Sequence, residues 1–548
     1  LGFKYWYDEP GPDEMVWWSE NHQVLFHAAE LMAGQLFPDA VFTNSGMTGR
    51  QKIARATPDL LRWMDYRARF GFSEFHSNVY YNEDMPPLIN LVDFAENEEL
   101  RAKAAILLDT LFFDMASHYF AGRFATAHGR TYPRNLLGGL TDSMTEPAFI
   151  GLNNVPVTSV TELGGGNFTA AHMATSEHYA VPEILEQIAN HPASEIEVRG
   201  RDGIDVLDGP QYGITYTAWN DIMFWWGMTG YIDPEIITGT FNMVDTFTMW
   251  DGYEFKNYKF VQPLVGTSIL RTAAEAALPM SRGVVLETAN VYTYRTPHYQ
   301  LSGVQDFKPG SWTAQVHVWK ATLDSKAYVF TTYPGGVDGD YMAGDWTGGW
   351  VPRATMHKSV GIFQYRLPVM PKLDGILERV ATADLGFGFV DYTHAYFPKN
   401  EFDEVVREAG WTLARKGDAY VGLWSQAPTT WSTGNDYELI AAGRENVWVI
   451  EMGDKASNGT FAEFAAALTA ASVTVGNQVV YESPYRGTYK AGWTGDFTVD
   501  GKVVDLGPYK RFDTPFAQQE FNTKQLEIRY EGRTLQLDFA RAERRLTE

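Results

Sequence analysis

The sequence predicts an α+β multidomain chain, with a helical part over residues 1–280 and an antiparallel, β-rich part over residues 281–548. Three observations predict it. Apolar residues recur at helical spacing through the first part. After Ser281 they alternate between clusters of Gly, Pro and Asp. The composition, 45% hydrophobic and 20% charged over 548 residues, is globular and ample for large buried cores.

Taken in order, Ser19-Glu20-Asn21-His22 precedes Val24, Leu25, Ala28, Leu31 and Met32, the stripe of a first helix. Thr57-Pro58 reads as an N-cap followed by proline at the first helical position, leading into Leu60, Leu61 and Met64. Tyr80-Tyr81-Asn82 reads as a surface turn before Pro86-Pro87, and Leu88, Leu91, Val92 and Ala95 give a third helix. Asn97-Glu98-Glu99 opens a longer one through Leu100, Leu107, Leu111 and Met115, its early carboxylates complementing the helix dipole. Further helices are expected near 181–190, 216–230, 234–247 and 267–279. Strands are expected at Val284–Tyr294, Ala314–Leu323, Ala327–Tyr333, Val360–Arg366 and Tyr420–Trp424, with one helical interruption at Phe461–Ala471. Glu531-Gly532 between two alternating runs signals a closing hairpin.

Charge and motifs narrow the function. With 44 basic against 68 acidic residues, the net charge of −24 makes nucleic acid an unsuitable partner, because phosphate contacts need a basic surface. Cysteine is absent, which removes disulfides, thiolate metal sites and a cysteine nucleophile. No apolar run approaches the roughly 18 residues of a membrane span. Phosphate-binding loop, H-E-x-x-H and G-x-S-x-G motifs are missing, and Gly164-Gly165-Gly166 follows no convincing strand. The chain opens at Leu1, as a processed mature form or a fragment would, and a secreted, periplasmic or extracellular setting is expected.

Three histidines stand in polar, aromatic surroundings: His22 in Trp17-Trp18-Ser19-Glu20-Asn21-His22-Gln23, His76 in Ser73-Glu74-Phe75-His76-Ser77-Asn78-Val79-Tyr80-Tyr81-Asn82, and His298 in Tyr294-Arg295-Thr296-Pro297-His298-Tyr299. A fourth cluster, His128-Gly129-Arg130-Thr131-Tyr132-Pro133-Arg134, adds basic charge. These residue types suit elimination across a uronic acid. The proton to be removed lies α to a carboxylate, and a hydrogen-bond donor such as Asn stabilises the enolate-like intermediate. A neutral His or a tyrosinate takes the proton, and a Tyr hydroxyl gives one to the leaving oxygen. An Arg holds the sugar acid bidentately. No cofactor is required. Each piece also has a plain structural reading: Asn21 and Ser19 suit a helix cap, and Trp17-Trp18 suit packing as well as a sugar platform.

Taken together, the helical first half, the Asn21-His22 pair, a Tyr 58 positions after His22 (80 minus 22) and a β-rich half with its own polar His resemble polysaccharide lyases of the heparinase II/III and alginate lyase type. The stretch Phe72–Tyr81 also resembles the His-then-Tyr segment of hyaluronate and chondroitin lyases, and Tyr294–Tyr299 with Gln315-Val316-His317-Val318-Trp319 looks like a heparinase II/III-like β domain. The resemblance implies an incomplete (α/α) toroid followed by an antiparallel β-sandwich, and cleavage of an acidic polysaccharide by β-elimination. It implies Asn21 as the group that neutralises the carboxylate, His22 as base and Tyr80 as acid or as both acid and base. His298 would reach in from the sandwich, Tyr81 competes with Tyr80, and His76 with His22. Gln23 stands where many alginate lyases have glycine. Candidate substrate-binding residues are Trp17, Trp18, Gln23, Glu74, Asn78, Arg67, Arg130, Tyr132, Arg134 and Tyr299, with Arg69 a further source of local basic charge. Some relatives hold a structural metal in the sandwich, for which His317 and His357 are candidate ligands. Two alternatives stand beside this reading. One is a glycoside hydrolase using paired carboxylates among Glu20, Asp65, Glu74 and Asp93. The other is a carbohydrate-binding protein without catalysis.

Overall fold

The computed structural model describes residues 1–11, 19–157, 160–163, 166–192, 194–252, 254–335, 344–367 and 390–548. Trp17, Trp18 and most of the Gly164–Gly166 run lie outside them.

Four helices build the start of the chain: α1 (Glu20–Leu36), α2 (Gly49–Phe70), α3 (Tyr81–Phe94) and α4 (Glu98–His118). Ser19 caps α1, its side chain accepting the backbone N–H of His22. The expected start at Thr57-Pro58 is corrected: α2 begins nine residues earlier (58 minus 49), under a capping box formed by Thr48 and Gln51. Pro58 sits inside it, and an interior proline costs about 3 kcal/mol. Burial offsets that cost, because Ala56, Leu60, Trp63 and Met64 form one buried stripe across the proline. Close contact with α1 extends the helix backward. A Cβ on Gly49 would lie 2.1 Å from the Phe37 carbonyl oxygen, so only glycine admits this approach. Trp63 Nε1 donates to the Glu20 carbonyl at 2.8 Å, so the start of α1 meets the end of α2 and the pair is antiparallel.

The Tyr80–Asn82 turn is also corrected. Tyr80 is the N-cap of α3, Tyr81 is wholly buried, and Pro86-Pro87 lie within the helix. Asn97 caps α4 by accepting from Glu99 and Leu100, as the sequence predicts. From Ile106 to His118 every residue of α4 is buried, so this helix is surrounded by protein. Shorter helices follow at Glu183–Ala189, Trp219–Gly227, Ile237–Thr246 and Ile269–Ala276. No helix among the described residues is long and apolar enough to cross a membrane.

The second part is antiparallel throughout its described pairings. A ten-stranded sheet includes Tyr328–Thr332, Trp319–Thr322, Gln300–Gln305 and Ala289–Arg295 in neighbouring order. A six-stranded sheet runs from Arg353–His357 through Val360–Tyr365 and Asn446–Asp454 to Glu404–Glu408. The two meet where Trp319 stacks on Phe363, centroids 3.9 Å apart. Phe461–Ala470 is the expected helix, and Gln525–Tyr530 with Arg533–Asp538 is the expected hairpin, turning on Glu531 (φ 48) and Gly532 (φ 88).

Two features join the halves across residue 280. The strand Ile196–Asp202 lies in the helical part, yet pairs with Ala289–Arg295 at the heart of the ten-stranded sheet. The C-terminal strands return to the helices: Ile528, Leu535, Leu537 and Phe539 share one apolar core with Leu88, Leu107 and Phe113.

Candidate active site

The site begins at the first turn of α1. Glu20 accepts the backbone N–H groups of Ser73 (3.0 Å) and Glu74 (2.9 Å) and pairs with buried Arg67 at 2.6 Å. This pins the loop after α2 against the start of α1, and fixes Glu74 next to Asn21. Asn21 Nδ2 then donates to Glu74 Oε2 at 3.2 Å. One amide hydrogen is used there, and the other remains for a further acceptor.

Arg130 arrives on a separate segment. Gly129 N–H donates to the Phe75 carbonyl at 2.7 Å, and Ser77 Oγ donates to the Arg130 carbonyl at 2.7 Å. A Cβ on Gly129 would sit 2.7 Å from the Phe75 ring, so glycine permits the two segments to run this close. Arg130 Nε lies 3.0 Å from Glu74 Oε1, and its Nη2 donates to Thr229 Oγ1 at 2.7 Å. Its guanidinium stands 5.7 Å from the centre of the Tyr80 ring. The Tyr80 and Tyr132 hydroxyls share a short hydrogen bond, and Tyr132 also reaches the Gln315 side chain.

Asn21, His22, Glu74, Tyr80, Arg130 and Tyr132 are therefore gathered into one cluster, drawn from the start of α1, the loop before α3 and the segment after Phe124. Asn21, Glu74 and Tyr132 are buried, while His22, Tyr80 and Arg130 are partly open. The surroundings set their charge. Burial, and then the Arg130 charge, hold the His22 imidazole down at about 4, so it is neutral at ordinary pH. Burial pushes the Glu74 carboxyl up to about 7 against the pull of Arg130. Burial likewise raises both phenols, Tyr80 strongly, so each stays protonated. The cluster thus offers a neutral imidazole, a protonated phenol, an amide donor and a fixed cation.

Ser19 bears on the imidazole. Its Oγ lies 2.5 Å from His22 Nδ1 and 3.3 Å from Asn21 Oδ1. A hydroxyl has one hydrogen to give. When Ser19 gives it to Asn21, His22 donates Nδ1–H to Ser19 and keeps the lone pair of Nε2, the tautomer that a base needs.

The other sequence candidates lie elsewhere. Gln23 is buried and donates to the Met223 carbonyl at 2.8 Å. Arg67 is spent on Glu20, and Arg69 on Asp65 and Asn522. Asn78 donates to Asp142 at 2.5 Å in the interior. Tyr81 is buried with its hydroxyl accepting the His76 N–H, and His76 is buried beside Asp114 and His118. Arg134 lies 5.6 Å from the Tyr132 ring centre, at the edge of the cluster. His298 occupies the turn between Ala289–Arg295 and Gln300–Gln305, its N–H held by Thr296 Oγ1, and Tyr299 packs near Tyr294. Among the described residues, no hydrogen bond, ion pair or ring contact joins His298 to Asn21, His22 or Tyr80. From the β-rich half it is Gln315 that reaches the cluster.

Of the paired-carboxylate candidates, Glu20 is held by two backbone donors and Arg67, Asp65 by Arg69 and Lys524, and Asp93 by Ser176 and the His178 N–H. Only Glu74 belongs to the cluster. His317 packs against His128 and Phe330, while His357 ends a strand of the six-stranded sheet. No converging set of three metal-ligating side chains among the described residues includes either.

Sequence reasoning missed Thr229 and Gln315 as members of the site. Neither carries a local signal, for both are ordinary polar residues brought in by distant segments. The left-handed backbone of Thr229 (φ 63) is visible only in three dimensions.

No protein-family model matches the chain, and no curated protein does. Among solved structures, the chondroitin AC lyase of Streptomyces coelicolor A3, in complex with chondroitin sulphate, aligns at 11% identity with a TM-score of 0.33. The alignment covers 95% of this chain and 70% of that one. A likeness of that size decides neither fold nor activity.

Proposed function

We propose that the protein is a polysaccharide lyase that cleaves a uronic-acid-containing polysaccharide by β-elimination, on an incomplete (α/α) toroid followed by an antiparallel β-sandwich. The observation that carries this reading is the single cluster of Asn21, His22, Tyr80 and Arg130. Asn21 uses its free amide hydrogen on the uronate carboxylate, and Arg130 holds the same group by charge. His22 Nε2 removes the proton α to that carboxylate. The electron pair left behind forms the new double bond as the glycosidic bond breaks, and Tyr80 protonates the departing oxygen. Glu74 acts as a positioning residue, since it holds both Asn21 and Arg130. The antiparallel α1–α2 pair and the Trp319–Phe363 contact between sheets support the proposed architecture.

The direct test is a screen of uronate polymers (alginate, glycosaminoglycans, pectins, ulvan and glucuronan) for ultraviolet-absorbing product. Elimination yields a conjugated double bond and hydrolysis does not, so reducing ends without absorbance would overturn the reading in favour of a hydrolase. Polymer binding without any cleavage would leave a carbohydrate-binding protein.

The His22 environment gives a pH prediction. Depression to about 4 means that the base is unprotonated above that value. Of its charged and titratable neighbours Arg130, Glu74 and Tyr80, Glu74 itself titrates at about 7 and is removed in Glu74→Gln; in that variant kcat/KM should climb through about pH 4 and be flat near 6.5, where an ordinary imidazole titrates. In Glu74→Gln a climb centred on about 6.5 would show that the base is not the imidazole depressed by burial and would overturn the assignment of His22.

A further inference from the structure

We propose that His76, Asp114, His118 and Asp202 form a buried binding site for a divalent transition metal, with Zn²⁺ the best fit. The inference is independent of the elimination chemistry. One ligand atom each from His76, Asp114 and His118 lie within 4.8 Å of one another. His76 Nε2 is 3.7 Å from Asp114 Oδ1 and 3.9 Å from Asp202 Oδ2. Around a tetrahedral zinc ion, with bonds of about 2.0–2.1 Å, neighbouring donor atoms stand roughly 3.4 Å apart, so His76 needs a shift of only a few tenths of an ångström relative to each carboxylate, while Asp202, which stands outside the set of three that converges within 4.8 Å, must move further to become the fourth ligand. All four side chains are at most 2% exposed.

The chain converges on this point from three directions. Asp114 and His118 are four residues apart on α4 and so share one face. Asp202 ends the strand Ile196–Asp202. His76 comes from the loop after α2 with a left-handed backbone, φ 46, which costs of order 1 kcal/mol for a residue other than glycine. That conformation is fixed on both sides: the His76 N–H donates to the Tyr81 hydroxyl at 3.0 Å, and its carbonyl contacts His128 Nδ1 at 2.6 Å.

Each histidine has its Nδ1 held by a hydroxyl. His118 Nδ1 meets Thr293 Oγ1 at 2.8 Å, and His76 Nδ1 meets Thr126 Oγ1 at 3.4 Å. Ser302 Oγ joins the two hydroxyls, 2.5 Å from Thr293 and 2.9 Å from Thr126. Both Nδ1 atoms are thereby engaged, which leaves Nε2 of each ring as its ligand atom. Charge agrees. Arg511 pairs with Asp114 Oδ2 at 3.0 Å and with Asp202 Oδ1 at 3.2 Å, and its Nη1 also donates to Asp202 Oδ2 at 3.3 Å, leaving Asp114 Oδ1 toward His76. Two buried carboxylates against the one guanidinium that touches them leave one negative charge, which a bound cation would meet. Two imidazoles and two carboxylates in a dry site suit zinc rather than calcium or magnesium, which take mainly oxygen ligands.

The test is elemental analysis of the untagged full-length protein, expected to hold about one zinc per chain. Removing it with a chelator should lower the melting temperature, and adding Zn²⁺ should restore it. Cobalt in its place should give the visible absorption of a tetrahedral ion. His118→Ala should lose the metal. Folded parent protein with no stoichiometric metal, and a melting temperature indifferent to chelator and Zn²⁺, would overturn the proposal. Full metal content in a folded H118A variant would overturn it as well. Should that variant fail to fold, the parent's metal content and its response to chelator decide.

Discussion

Tyr80→Phe is expected to abolish elimination while leaving polymer binding intact. The variant keeps the ring beside the Arg130 guanidinium and removes only the hydroxyl that bonds to Tyr132. In the proposed reaction that hydroxyl is the proton donor to the leaving oxygen, and burial keeps it protonated. Loss of a positioned general acid costs about a hundred- to ten-thousand-fold in rate. The fall should appear in kcat, with substrate affinity measured by calorimetry little changed. Tyr132 keeps its contact with the Gln315 side chain and should not restore the rate. Parental turnover in Tyr80→Phe would remove Tyr80 from the chemistry and return attention to Tyr132.

Arg544→Met is expected to produce the largest loss of stability. Arg544 lies on the last strand, Glu543–Thr547, and reaches back to Asp109 in the middle of α4, with Nε 2.5 Å from Oδ2 and Nη2 3.1 Å from Oδ1. Asp109 is wholly buried, and Tyr179 OH at 3.1 Å is its other partner. Breaking a buried pair by deleting one member costs about 3–5 kcal/mol, because the remaining charge has no solvent to replace it. Arg544 is itself one-third exposed, so the lower end, about 3 kcal/mol, is expected. The midpoint of urea unfolding, followed by tryptophan fluorescence, measures it. Burial has already raised the Asp109 carboxyl to about 6 in the folded protein. A raised carboxyl favours the folded state while it is protonated and ceases to do so as pH rises through that value. The deficit of the variant should therefore be greater at about pH 8 than at about pH 5. Adding Asp109→Asn should recover part of it, since the stranded charge is gone. An unchanged midpoint in Arg544→Met would mean that the C-terminal strands do not anchor α4 electrostatically.

The sequence reading succeeded where the deciding interactions are local. Ser19 and Asn97 announce the starts of α1 and α4 because a short polar side chain reaches the N–H groups of the next turn. Glu531-Gly532 announces a hairpin because both positions need a positive φ. It failed at Pro58 and at Pro86-Pro87, where local rules end or forbid a helix but packing continues it. Within the site, Asn21, His22 and Tyr80 were legible as residue types suited to one reaction. Glu74, Arg130 and Tyr132 were legible as candidate substrate-binding residues, and Glu74 also as a hydrolase carboxylate, but not as the partners of Asn21 and Tyr80. His76 and Tyr81, equal competitors on paper, face a different buried cluster, and His298 remains on its own turn.

By itself the sequence determined the order of helices before strands, the helix caps, the hairpin turn and the chemical kinds of side chain available for catalysis. These depend on contacts within a few residues and on periodicity, which a linear string carries in full. Only the tertiary structure decided which polar groups meet: Asn21 with Glu74, Arg130 with Thr229, Tyr132 with Gln315, and Asp109 with Arg544. Those meetings join residues from 53 to 435 positions apart. They are fixed by how apolar faces pack and by the need to pair each charge that packing buries, and neither is written in any short stretch of the chain.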